Sequence, residues 1–94
     1  MNKKEENMIR KMEMVFETLG WNRAVVNEVE NFELNGVYVK ITLHNWLNSY
    51  ILESADSIED AKNNLYEDSD LYSLDGNEEE ILKEMEQSLR NNYW

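Results

Sequence analysis

Ninety-four residues with no cysteine and a single histidine leave room for one thin-cored domain, and exclude disulfide frameworks, thiolate chemistry, zinc–thiolate sites and histidine-clustered metals. The formal net charge of −11 is lopsided: residues 1–49 carry six basic against seven acidic residues, and residues 50–94 carry three (Lys62, Lys83, Arg90) against thirteen. Direct phosphate binding needs Lys and Arg to replace counterions, so no nucleic acid is expected as a direct ligand, and a basic partner is favoured through faster encounter and complementary potential.

The first element reads as a helix. Met8, Met12, Val15 and Leu19 repeat at i, i+4, i+7 and i+11, Ile9 and Phe16 widen the stripe, and charged residues fill the other side. Met8 and Met12 read as core filler, with Met14 at the stripe's edge. Gly20 is the expected stop, and Trp21 is expected to cover the helix end. Arg23 to Val29 fits either period, but its β-branched residues favour a strand. The first strand is therefore placed from about Ala24 to Leu34, with a possible bulge near Asn27-Glu28.

Asn35-Gly36 between alternating apolar runs predicts a two-residue type I′ hairpin, since both central residues need positive φ. That turn fixes a register in which Leu34 faces Val37, Glu33 faces Tyr38, Phe32 faces Val39 and Asn31 faces Lys40. The agreement fades at Glu30 and Ile41, where fraying or a bulge is expected. The second strand, Val37 to Leu43, turns Val37, Val39, Ile41 and Leu43 inward and Tyr38, Lys40, Thr42 and His44 outward. His44 to Asn48 is a turn holding Trp46 and Leu47, which either fold back under a helix or form an apolar anchor for a partner. A third strand, Ser49 to Glu53, returns; Tyr50 and Leu52 compete with Ile51 for its inward face.

Asp56 or Ser57 caps a second helix whose narrow stripe is Ile58, Ala61 and Leu65. Asp68 to Gly76 reads as a loop. Asn77 caps a last helix with Ile81, Leu82, Met85 and Leu89 inward and Glu78, Glu79 and Glu80 in its first turn, where the helix dipole favours negative charge. Tyr93 and Trp94 either fold back or stay exposed. The expectation is a single α+β domain over 1–94, a three-stranded antiparallel meander with one N-terminal and two C-terminal helices, in the order α-β-β-β-α-α, with one sheet face packed and one wet.

Reactive chemistry finds little support. Asp68, Asp70 and Glu79 fall at positions 1, 3 and 12 of a calcium-loop count, but Tyr72 and Ser73 occupy a ligand position and the glycine position. Paired carboxylates such as Asp56 with Asp60 and Glu80 with Glu84 lie on outer helix faces, whereas acid–base catalysis needs one of a pair desolvated in a cleft. No enzyme, metal or cofactor is therefore expected. The acidic block is the sharpest feature: Glu53, Asp56, Glu59, Asp60, Glu67, Asp68 and Asp70 run through and past the second helix, and Asp75, Glu78, Glu79, Glu80, Glu84 and Glu86 through the third. Helix neighbours three and four apart are about 5–6 Å apart, broadly like charges along a nucleic-acid backbone. Such a row either occupies a basic groove built for phosphates or merely keeps a small protein soluble.

Tyr50-Ile51-Leu52-Glu53-Ser54, an acidic helix, a loop and Glu78-Glu79-Glu80 opening a last helix resemble small acidic anti-CRISPR proteins over about the last 45 residues and in the order of elements. The chain also resembles the acidic immunity proteins that neutralise bacterial toxin nucleases. Either resemblance implies a stoichiometric inhibitor in the cytoplasm of a bacterial host cell, with no membrane partner. Its target would be a basic nucleic-acid-binding protein or nuclease. The implied partner-binding residues are Glu53, Asp56, Glu59, Asp60, Glu67, Asp68, Asp70, Asp75, Glu78 and Glu79, with Trp46 as the apolar candidate. A dimerisation or docking module using Trp46, Leu47, Tyr93 and Trp94 is the other reading, and the oligomeric state stays open.

Overall fold

A computed structural model describes residues 1–93. Helix α1 (Lys3–Thr18) starts at Asn2. The Asn2 side chain accepts the Glu5 N–H at 2.8 Å, and the Glu5 carboxylate accepts the Asn2 N–H at 2.9 Å. The helix stops at Gly20, whose φ of 87° suits a residue without Cβ. The Gly20 N–H donates to Glu17 and the Trp21 N–H to Phe16, closing the helix end in a Schellman motif. The apolar contact that accompanies this motif is Trp21 edge-on to Phe16, centroids 5.2 Å apart.

The sheet has five strands in chain order, all antiparallel: β1 (Asn22–Val26), β2 (Val29–Leu34), β3 (Val37–His44), β4 (Ser49–Ala55) and β5 (Glu67–Ser73). A 3-10 turn (Asn45–Leu47) joins β3 to β4. Helix α2 (Ile58–Lys62) precedes β5, and α3 (Glu78–Tyr93) closes the chain. The class is α+β, but the meander has five strands rather than three. The order departs from α-β-β-β-α-α because a strand lies between the last two helices.

The Asn35-Gly36 hairpin forms with both central φ positive and with Leu34↔Val37, Glu33↔Tyr38 and Phe32↔Val39 in register. The ladder stops there, so Asn31 and Lys40 are not paired. What reads as one bulged strand from Ala24 to Leu34 is a second hairpin. Asn27 and Glu28 both take positive φ (50° and 67°), and β1 folds back on β2 from Val26↔Val29 to Asn22↔Glu33. The Asn27 side-chain amide donates to the Lys62 carbonyl at 2.7 Å, tying that turn to the end of α2.

Helices α1 and α3 cover one face. Met8, Met12, Phe16, Phe32, Val39, Tyr50, Leu52, Tyr72, Ile81, Met85 and Leu89 form the buried core there, with Val37, Ile41 and Leu43 packed against it. Trp21 closes its end, stacked edge-on by Tyr93. Tyr93 thus folds back; Trp94 lies outside the described residues. On β4, Tyr50 and Leu52 both face this core, and Ile51 is buried on the other side. That other face is not simply wet. Ala61 of α2 joins Val26, Ala55, Tyr38 and Tyr66 in a small second cluster. Asn31, fully buried, accepts the Tyr66 hydroxyl at 2.6 Å. Helix α2 is short because Asn64 takes φ 56° and ends it in a second Schellman pattern, leaving Leu65 exposed. Ser57, not Asp56, caps it, accepting the Asp60 N–H.

The acidic margin along the β5 edge

Strand β5 is where the reading of a loop fails and where the acidic residues gather. Its sequence, EDSDLYS, has weak intrinsic strand preference. Pairing with β4 and burial of Tyr72 in the core hold it extended. A bulge lies between Leu52↔Asp70 and Glu53↔Asp68, so Ser69 is the extra residue, and its hydroxyl donates to the Leu52 carbonyl at 2.8 Å. As the last strand, β5 forms one edge of the sheet.

Three elements contribute carboxylates to this margin. From β5 come Glu67 and Asp68, both exposed, and Asp70, half-buried and accepting the Ser88 hydroxyl of α3 at 2.8 Å. From α2 and the turn before it come Asp56 and Asp60, which line a cleft of about 360 Å³ with Ser54, Leu65, Tyr66 and Glu67. From α3 come Glu80 and Glu84, one turn apart, which line a groove of about 230 Å³ against Leu71, Tyr72 and Ser73. Burial pushes the Tyr72 phenol up, and the neighbouring Asp70 and Glu84 charges push it the same way. Glu53 lies one strand inward, opposite Asp68 and Lys40 in register, and accepts the Thr42 hydroxyl at 2.7 Å.

The other expected site residues lie apart from this group. Glu78 turns toward α1 and pairs with Lys11 at 2.7 Å. Glu79 borders a shallow groove shared with Val15, Leu82 and Lys83. Asp75 accepts the Asn48 side-chain amide at 2.7 Å at the far end of the strands. Glu59 is exposed on α2. Trp46 is 82% exposed, with its ring 6.2 Å from that of His44, so it is not folded under a helix. Glu80 and Glu84 belong to the margin more closely than Glu78 and Glu79. Their signal was available in sequence as the i, i+4 row Glu80, Glu84, Ser88 that flanks the buried stripe Ile81, Met85, Leu89.

Positive charge on the molecule sits mainly elsewhere. Arg23 on β1 is ringed by Glu13, Glu17 and Glu30 and lies 5.1 Å over the Phe32 ring. Lys40 is the exception: it lies 4.1 Å over the ring of Tyr66, which lines the cleft of Asp56, Asp60 and Glu67. Among the described residues Arg90 pairs with Glu86, and neither Lys62 nor Lys83 forms an ion pair. Among the described residues, no group of three or more His, Asp or Glu has the geometry to hold a metal ion, and no helix is long and apolar enough to cross a membrane. Comparison with protein-family models, curated proteins and solved structures gives no match.

Proposed function

We propose that this chain is a non-catalytic binding protein that docks its acidic margin on the basic nucleic-acid site of a nuclease or other nucleic-acid-processing protein and excludes the natural substrate. The observation carrying this reading is that Asp56, Asp60, Glu67, Asp68, Asp70, Glu80 and Glu84 border the β5 edge of the sheet, on that strand and in two clefts on either side of it. Neither Lys62 nor Lys83 is ion-paired to them among the described residues. Arginine and lysine side chains that grip phosphates are natural partners for such carboxylates. The anti-CRISPR and toxin-immunity resemblances name two target classes of this chemistry, an RNA-guided nuclease and a toxin nuclease. The test is capture on the tagged chain followed by competition. The reading expects a nucleic-acid-binding protein to be retained and duplex DNA or RNA to release it. A partner that nucleic acid does not displace contradicts it.

The exposure of Trp46, with Leu47 and Leu71 also exposed, favours a second reading: docking or self-association through apolar contacts. Sedimentation at two salt concentrations separates the two. Apolar association hardly changes with salt, whereas the charged complex weakens.

A further inference from the structure

We infer that the outer edge of β5 receives an extended Lys- or Arg-bearing segment of the partner as a sixth strand. The inference rests on the acidic docking reading and adds its mode. An edge strand turns alternate backbone N–H and C=O groups away from its one neighbour, a template for strand addition. β5 is such a strand, and beside it runs the groove walled by Leu71, Tyr72 and Ser73 on one side and by Glu80, Ile81 and Glu84 of α3 on the other. A strand lying there would meet main-chain partners along β5 and the Glu80 and Glu84 carboxylates of α3 on its flank.

The side chains select the occupant. A second copy of β5 would lay a strand with the same three carboxylates beside Glu67, Asp68 and Asp70, and like charges brought together across a ladder are destabilising. A segment with Lys or Arg at alternate positions reverses that sign. The opposite edge differs: β1 (Asn22–Val26) carries no carboxylate of its own, and the glutamates beside it, Glu13, Glu17 and Glu30, already surround its Arg23. The acidic side chains on β5 thus block self-pairing and admit a basic strand.

The experiment uses the full chain and a synthetic seven-residue peptide alternating Lys and Val. Two companions accompany it: the same peptide with alternate backbone amides N-methylated, and a Glu–Val counterpart. Strand addition predicts that the Lys–Val peptide protects alternate amides of residues 67–73 from hydrogen exchange. N-methylation, which removes the donors but not the charge, should weaken binding by roughly tenfold or more, and the Glu–Val peptide should not bind. Equal affinity for the parent and N-methylated peptides, protection confined to other elements, or no binding by the Lys–Val peptide overturns the inference. A partner that nucleic acid displaces, yet which leaves the amides of 67–73 unprotected, sinks strand addition while acidic docking stands.

Discussion

Arg23 gathers Glu13, Glu17 and Glu30 at the β1 edge, and the four charges do not act alike. Burial raises the Glu13 carboxyl above its ordinary range, Glu30 and Glu17 push the same way, and Arg23 opposes them. A carboxyl raised in the native state holds its proton there at pH values where the unfolded chain has lost it. Glu13 therefore costs stability as pH rises through its native pKa, and restores it as pH falls toward the ordinary glutamate value. Glu13→Gln is expected to raise the Tm at pH 7, with the gain shrinking as pH falls through the raised native pKa and gone once pH is below the ordinary glutamate value; thermal melts across pH 3–7 check this. Asn31 makes a sharper case. Its carbonyl oxygen is fully buried and accepts the Tyr66 hydroxyl. Tyr66→Phe removes that donor and should cost about 1–3 kcal/mol in denaturant unfolding. None of this was legible in sequence, because Asn31 and Tyr66 meet only after α2 has folded over the second sheet face.

At the scale of elements, legibility followed the turn chemistry. Asn35-Gly36 pairs the two residue types that tolerate positive φ best, and turn, register and inward face of its hairpin all follow. Asn27-Glu28 adopts the same turn without glycine, so its signal was weak and two strands read as one. Glu28→Gly is expected to stabilise the chain by about 0.5–1 kcal/mol, because it removes a side chain from the left-handed region. Gly20→Ala tests the reverse. A Cβ there meets nothing within 4 Å, so only backbone strain remains, and a loss of about 1 kcal/mol is expected. Equilibrium unfolding in urea measures both. Asn63-Asn64 ends α2 early for the same reason Gly20 ends α1, a stop that the apolar spacing of Leu65 obscured. β5 was illegible for a different reason: pairing with β4 and burial of Tyr72 override its polar composition, and neither is local.

At the scale of the whole molecule, the −11 net charge is sorted by the fold as well as by the sequence. Most second-half carboxylates lie at the β5 margin or on the α1 side, where Glu78 and Glu86 meet Lys11 and Arg90; Asp75, held by Asn48, and Glu59, exposed on α2, belong to neither. The helical rows expected from sequence are replaced by a strand edge flanked by two helices, because α2 has only five residues. The side that carries free negative potential was thus legible as a half of the chain, not as a surface. The most direct test compares two variants of equal charge change for affinity toward the captured partner. One is Glu67→Lys with Asp68→Lys on the margin; the other is Glu6→Lys with Glu28→Lys, all four being exposed residues. Docking through the margin predicts at least a roughly tenfold loss for the first pair and under about twofold for the second. Equal losses would mean that only net charge matters, and no loss for the margin pair would contradict the account.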